Sequence, residues 1–120
     1  MKVLIADDSK AMRMIVLRTL RQSGLQIDEV FEAEDGAQAL AAVPTFVPDL
    51  IMSDWNMPNM TGIEFLTNLR ASGDQTTFGF VTSESNPAMK EQAIAGGAAF
   101  LLTKPFDAER LAEVVGAVVG

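Results

Sequence analysis

Five short apolar runs, separated by segments with helical spacing, constrain the fold of this chain more than any other feature. Each run is too short for a helix and suits a strand that is buried on both faces of a sheet. The runs occupy residues 3–6, 30–33, 50–52, 78–81 and 100–102. Strands that alternate with helices predict an α/β fold, a doubly wound five-stranded parallel sheet with five helices and right-handed crossovers.

The helical segments carry their own start and stop signals. Ser9 can cap the first helix, whose inward stripe is predicted to be Met12, Ile15, Val16, Thr19 and Leu20. The other helices are predicted at about 36–43 with a stop at Pro44, 62–71, 87–95 and 107–119. Gly79 lies inside the fourth strand, where glycine often marks the close approach of another element.

Composition narrows the possible functions. The 120 residues suit one domain, 1–120, and include no cysteine and no histidine, which excludes thiol chemistry, a Ser-His-Asp triad and a histidine zinc site. A net charge of -7 argues against nucleic acid and anionic membranes as partners. The first residues enter an apolar strand directly, so we expect a cytoplasmic protein, and we expect it to be a monomer.

Polar and charged side chains follow four of the five predicted strands. Asp7 and Asp8 follow the first, Asp54 the third, Thr82 ends the fourth, and Lys104 follows the fifth. Ligand sites in such sheets lie beyond the carboxyl ends of the strands, so we expect these side chains to meet.

Three carboxylates in one cleft repel each other by about 4 kcal/mol per pair at 4 Å and an effective dielectric constant near 20. Protonation of one carboxyl or the charge of Lys104 could offset part of this repulsion, and a hard divalent cation such as Mg²⁺ would offset more. Simpler interpretations are open: Asp7 and Asp8 could cap the first helix, Lys104 could be solvated, and Thr82 could be an ordinary strand residue. A cis bond before Pro105 would allow a tight turn that directs Lys104 inward.

Several segments in order carry a family resemblance: Ala6-Asp7-Asp8-Ser9, Glu32-Ala33-Glu34-Asp35-Gly36, Asp54-Trp55-Asn56-Met57-Pro58-Asn59-Met60, Val81-Thr82 and Thr103-Lys104-Pro105-Phe106. The chain resembles the response-regulator receiver family over its full length. The resemblance implies a flavodoxin-like sheet of strand order 2-1-3-4-5. It also implies that Asp54 is the phosphoacceptor and that Thr82 and Lys104 contact the phosphoryl oxygens. Mg²⁺ would be bound by Asp7, Asp8, Asp54 and the backbone carbonyl of Asn56.

The same resemblance implies a phosphoryl donor, either a histidine kinase or a phosphotransfer protein, and a downstream protein target. The Asp54 segment is most similar to chemotaxis members of the family, which favours chemotaxis. A phosphorelay intermediate and a receiver excised from a larger regulator are the alternatives. We expect no enzymatic activity beyond the protein's own phosphorylation and dephosphorylation.

Four further positions have predicted roles. Asn56 and Glu84 each lie two residues past a site residue, where they could orient or exclude the attacking water, so they should set the lifetime of the phosphorylated state. Thr82 and Leu101 are the expected switch positions. The family often has an aromatic residue at the position of Leu101, so the switch here is predicted to involve the loop of residues 82–87 and the fourth helix instead. Phe100 should point to the opposite face of the sheet.

On the first helix, Met14 and Leu17 are predicted to lie away from the inward stripe, beside Arg13, Arg18 and Arg21. We interpret Met14 and Leu17 as a docking face for the helices of the donor, although isolated exposed apolar residues are common.

Other classes of function fit less well. An aspartyl-phosphate hydrolase would carry Asp-x-Asp, but the residue two positions after Asp54 is Asn56. A dinucleotide-binding domain would have G-x-G-x-x-G after its first strand, where this chain has two aspartates. An inactive interaction module would keep the fold and lose these site residues.

Overall fold

All five apolar runs form strands in one parallel sheet. The computed structural model describes residues 1–119, and within them the strands are Lys2–Ala6 (β1), Glu29–Ala33 (β2), Leu50–Ser53 (β3), Thr77–Thr82 (β4) and Phe100–Thr103 (β5). Every strand pair is parallel and the order is β2-β1-β3-β4-β5. The predicted doubly wound sheet and its strand order are confirmed.

The helices are Lys10–Gln22 (α1), Gly36–Phe46 (α2), Gly62–Ala71 (α3), Pro87–Ala95 (α4) and Ala108–Val119 (α5). Because strand side chains alternate between the two faces, the sheet separates two hydrophobic layers. Leu4 belongs to the layer under α2, α3 and α4, whereas its neighbour Val3 belongs to the layer under α1 and α5. Across residues 1–119, every helix falls short of the length and apolarity that a membrane span requires.

The inward face of α1 differs from the predicted one. Its buried residues are Arg13, Val16, Thr19 and Leu20, while Ile15 is 49% exposed and Met12 is half-buried. A stripe assigned from apolar residues alone passed over Arg13, which lies one turn before Val16. The guanidinium of Arg13 can be buried because it finds oxygen acceptors, whereas an unpaired one would be too costly.

The predicted stop at Pro44 is also wrong, because α2 continues to Phe46. Pro44 lacks the N–H that would donate to the carbonyl four residues earlier, so the last turn of α2 forms despite the loss of one helical hydrogen bond. The end of the helix is completed by Val47, whose N–H donates to the carbonyl of Val43 (2.9 Å) and whose backbone is left-handed (φ 51°). The extra turn also places the Phe46 ring against Phe31, with 5.7 Å between the ring centroids.

Gly79 is required by the aromatic ring of the neighbouring strand. Gly79 and Phe100 are register partners in β4 and β5, and a Cβ atom at Gly79 would lie 2.0 Å from a ring carbon of Phe100. The close approach that a glycine within a strand often marks is therefore present at Gly79. Phe100 packs in the layer of α1 and α5, while Leu101 packs against the opposite layer, as predicted.

Candidate functional site

Parallel pairing brings three carboxylates to one edge of the sheet. Ala6 and Ser53 are register partners at the ends of β1 and β3, so Asp7 and Asp54, the next residues, leave the sheet side by side. The N–H of Asp54 donates to the carbonyl of Ala6 at 2.8 Å. Asp7, Asp8 and Asp54 each offer a carboxylate oxygen within 4.8 Å of the others.

Asp7 is the most firmly held of the three. It is 3% exposed, and its carboxylate accepts hydrogen bonds from the N–H of Ser9 (2.9 Å) and from Nζ of Lys104 (3.3 Å). The cap of α1 is Ser9, whose hydroxyl oxygen accepts from the N–H of Met12. Because Ser9 caps the helix, the simpler interpretation of Asp7 and Asp8 as helix caps is not needed.

The surroundings of Asp54 disfavour its charged form. Burial raises the pKa of Asp54, the charge of Lys104 opposes that rise, and the negative charge of Asp7 adds to it. The hydrogen bond from the N–H of Trp55 (2.7 Å) also lowers the pKa, and the charge of Asp8 raises it again. A cleft whose net effect is to raise the pKa of a carboxyl group favours the arrival of a cation.

Lys104 points into the cleft instead of into solvent. Its main-chain N–H donates to the carbonyl of Thr82 at 2.7 Å, and the peptide bond between Lys104 and Pro105 is cis. Thr82 is fully buried, and its hydroxyl oxygen accepts from the N–H of Glu84 at 3.4 Å. Because the oxygen is the acceptor in that bond, the hydroxyl proton of Thr82 can still be donated to another group.

The two residues that are predicted to set the lifetime of the phosphorylated state are exposed to solvent. These residues are Asn56, two positions after the half-buried Asp54, and Glu84, two positions after the buried Thr82. Leu101 is half-buried and packs against the layer of α2, α3 and α4. The hydroxyl groups of Ser85 and Thr103 are 2.8 Å apart, so a hydrogen bond joins the loop after β4 to the end of β5.

The predicted docking residues are only partly as expected. Met14 is 52% exposed, but Leu17 is half-buried and packs against the layer of α1 and α5. Together with Arg18 and Arg21 they line a shallow depression on the outer side of α1. Arg13 does not belong to this surface, because it points inward.

Two features near the site were missed at the level of sequence. Arg13 donates a hydrogen bond to the main-chain carbonyl of Asp7. The sequence feature that could have predicted its burial is its helical spacing from the other buried residues of α1. Asn59 donates to the carboxylate of Asp35 at 2.8 Å, which ties the loop after Asp54 to the start of α2. Asn59 has a left-handed backbone (φ 66°), a conformation in which asparagine is enriched.

The donor set fits a hard divalent cation. All three side chains are carboxylates, and the cleft between them is partly buried and short of positive charge. Mg²⁺ accepts a small number of carboxylates and retains several of its waters, whereas zinc sites normally include nitrogen or sulfur ligands. The arrangement can therefore hold a cation beside a nucleophilic carboxylate.

Comparison with known proteins gives a consistent result. The profile of the response regulator receiver domain matches residues 3–116. The chain is 34% identical over 114 residues to the chemotaxis protein CheY of Bacillus subtilis, covering 95% of this chain and 93% of that protein. It is 36% identical over 115 residues to the chemotaxis protein CheY-3 of Vibrio cholerae, covering 94% of this chain and 87% of that one.

Solved structures agree with the sequence relatives. The chemotaxis protein CheY4 of Vibrio cholerae superimposes with a TM-score of 0.84 at 38% identity, covering 98% of this chain and 97% of that one. The signal receiver domain of the putative response regulator NarL from Mycobacterium tuberculosis superimposes with a TM-score of 0.89 at 30% identity, covering 98% of this chain and 94% of that one.

Proposed function

Because the chain belongs to the response regulator receiver domain family and is a CheY-like receiver of two-component signalling, we propose that Asp54 accepts a phosphoryl group from a phosphohistidine on another protein. The observation that carries this proposal is the cluster of three carboxylates within 4.8 Å of one another, with Lys104 bonded to one of them. None of the 120 residues is histidine, so the phosphohistidine of the donor lies outside this sequence.

In the proposed transfer, a carboxylate oxygen of Asp54 attacks the phosphorus atom. An O–P bond forms, the P–N bond to the donor imidazole breaks, and the imidazole nitrogen keeps the electron pair and takes up a proton. The hydrogen bond from Trp55 to the other carboxylate oxygen orients the nucleophile. Lys104 supplies a positive charge, and Thr82 a hydroxyl donor, for the phosphoryl oxygens.

The proposed metal ligands are the carboxylates of Asp7, Asp8 and Asp54 and the backbone carbonyl of Asn56. A Mg²⁺ ion at this place would supply positive charge against the oxygens of the transferring group. Asp7 contributes a carboxylate that is held in place by its hydrogen bonds from Ser9 and Lys104.

The test is incubation of the Asp54→Ala protein with a phosphorylated histidine donor and Mg²⁺, followed by intact-mass measurement. We expect no phosphoryl adduct on Asp54→Ala and a normal adduct on Asp74→Ala, whose aspartate follows α3 and precedes β4, at the opposite edge of the sheet. Lys104→Ala should retain some phosphorylation but lose phosphorylation-dependent binding of the target. A stoichiometric adduct on another residue of Asp54→Ala would contradict the assignment.

We assign the lifetime of the acyl phosphate to Asn56 and Glu84. Their exposure supports this, because water must approach Asp54 from the open rim of the cleft. A long polar side chain there can orient the attacking water, and a bulky or cationic one can exclude it.

The signal is proposed to pass from Thr82 to the loop of residues 83–86 and to α4. Among the described helices α4 buries the fewest residues, Ala93 alone, so its displacement disrupts little packing. Leu101 is half-buried and lacks a polar end, so we expect it to repack without exchanging a buried position for an exposed one. The downstream protein would recognise the changed surface.

Met14 and Leu17, with the depression that they share with Arg18 and Arg21, are our candidate surface for the helices of the donor. Met14 supplies the exposed apolar contact, and the two arginines would favour an acidic rim on the partner. The double variant Met14→Glu, Leu17→Glu should slow phosphotransfer when the donor is limiting, while phosphorylation by small acyl phosphates stays normal. Equal transfer rates from the protein donor would remove this surface from the proposal.

Chemotaxis is the pathway that we propose, because the sequence relatives reported above are named chemotaxis proteins. In a phosphorelay the phosphoryl group would instead move on to a second histidine-bearing protein, which mass measurement of mixed proteins would detect. We further propose a cytoplasmic monomer without turnover of other substrates. Steady hydrolysis of many small phosphate esters would favour a hydrolase instead.

A further inference from the structure

The two buried charged side chains within residues 1–119 belong to residues that are bonded to each other. Asp7 is 3% exposed and Arg13 is 7% exposed. Nη1 of Arg13 donates to the main-chain carbonyl oxygen of Asp7 at 2.7 Å, in a buried position. The carboxylate of Asp7 is thereby left for Ser9, Lys104 and the acidic cluster.

Burial of a guanidinium is expensive unless its donors are satisfied, so its presence on the inner face of α1 requires a reason. Its second bond runs from Nε to a carboxylate oxygen of Glu32 on β2, at 3.0 Å. Glu32 is exposed and neutralises the charge from the solvent side. The planar fork of an arginine can make both bonds at once, whereas the single ammonium of a lysine cannot reproduce that geometry.

The carbonyl that Arg13 holds belongs to the peptide unit between Asp7 and Asp8. Rotation of this unit would swing the two carboxylates relative to each other, and their repulsion favours such a rotation. The other side of Asp7 is held by its N–H, which donates to the carbonyl of Ala33 at 3.0 Å. With both neighbouring peptide units anchored, the main chain is held where the carboxylates of Asp7 and Asp8 lie within 4.8 Å of each other.

We propose that Arg13 is a positioning residue for the divalent cation, acting through the Asp7–Asp8 peptide unit, with Glu32 orienting its guanidinium. The inference rests on the proposed function, since it assumes that the acidic cluster binds Mg²⁺. Arg13 would thus have a role in metal binding although its side chain neither contacts the metal nor takes part in the phosphoryl transfer.

A positioning role and a purely electrostatic role for Arg13 predict opposite changes in cation affinity when its side chain is removed. Removing a positive charge near three carboxylates should tighten cation binding if charge alone matters. Removing an anchor should weaken it, because the carboxylates lose their shared orientation. Loss of a residue that orients metal ligands typically costs on the order of 10-fold or more in affinity.

The experiment is a titration with MgCl₂ alone, followed by the fluorescence of Trp55, the single tryptophan of the chain, which adjoins Asp54. Arg13→Met should weaken Mg²⁺ binding by on the order of 10-fold. Arg13→Lys should recover part of that loss. Binding that is unchanged or tighter in Arg13→Met would overturn the proposal.

A matched control is Arg70→Met. Arg70 also donates to main-chain carbonyls, those of Asp74 (3.0 Å) and Gly97 (2.8 Å), but it joins the end of α3 to the turn before β5, away from the site. Its loss should destabilise the protein without changing the Mg²⁺ dissociation constant. The rise of the melting temperature with Mg²⁺ gives a second readout that needs no phosphorylation.

If Arg13→Met does not fold, two variants of Glu32 test the proposal instead. Glu32→Gln and Glu32→Leu remove the same charge, but only glutamine can still accept from Nε of Arg13. Positioning predicts weaker Mg²⁺ binding in Glu32→Leu than in Glu32→Gln, and equal binding would overturn it. Absence of Mg²⁺ binding by the wild-type protein would instead defeat the proposed metal site itself, and the role of Arg13 with it.

Discussion

Removal of one carboxylate from the acidic cluster should stabilise the protein when no metal is present. At the 4.8 Å limit of the cluster, a pair of charges repels by about 3.5 kcal/mol at an effective dielectric constant of 20 and by about 0.9 kcal/mol in water. Asp8 is exposed, so the lower figure applies to its pairs with Asp7 and Asp54. Allowing for the opposing charge of Lys104, Asp8→Asn should gain about 1–1.5 kcal/mol, or roughly 4–6 °C in melting temperature.

Thermal unfolding followed by circular dichroism in EDTA measures this gain. With saturating Mg²⁺ the order should reverse, because the wild-type protein gains binding free energy that the variant has largely lost. Glu91→Gln removes one charge from the outer side of α4 and controls for the general effect of lowering the net charge of -7. An Asp8→Asn protein that melts no higher than wild type in EDTA would refute the account of crowded carboxylates.

The pH dependence provides a second check on the same repulsion. Burial raises the pKa of Asp54 above the ordinary aspartate value of 3.8, so the folded protein keeps this proton to a higher pH than the unfolded chain does. Metal-free stability should therefore fall as the pH rises from about 3.8 through the raised pKa. Because Asp8 contributes to the rise, Asp8→Asn should lose less stability over that window.

Three further outcomes are expected. Asn56→Arg or Glu84→Lys should slow dephosphorylation several-fold, measured as the decay of the phosphorylated form, and unchanged decay in both would remove these residues from that role. Structures with and without the phosphoryl group should differ in the loop of residues 83–86 and in α4 and not in the rotamer of Leu101; a static loop with a large rotamer change would contradict this path. Coupling through the loop should tighten the target by on the order of 5- to 150-fold. Gly79→Ala should cost about 1–3 kcal/mol in chemical denaturation, because the added methyl group overlaps an aromatic ring, and a neutral result would show that the ring can move aside.

The sequence alone was sufficient for the architecture and for most of the site. Short apolar runs between helical segments predict a parallel sheet, because runs too short for a helix suit strands that are buried on both faces. Parallel strands all end at the same edge, and the strand order implied by the family resemblance places β1 beside β3, so Asp7 and Asp54, which follow these strands, are neighbours. The glycine at position 79 could likewise be read as a close approach, since its absent side chain is a local property.

Details that depend on compensation between distant groups required the tertiary structure. Arg13 was predicted to lie beside Met14 and Leu17, outside the inward stripe of α1. It is inward because Glu32, 19 residues away, and the carbonyl of Asp7 accept its hydrogen bonds. Pro44 was predicted to end the helix because proline lacks an N–H. The helix continues past Pro44 because Phe46 gains contact with Phe31 on β2. In both cases a local preference of less than a few kcal/mol was outweighed by contacts between segments that the sequence separates. Local chemistry thus determined which residues form the site, and long-range packing determined how rigidly they are held.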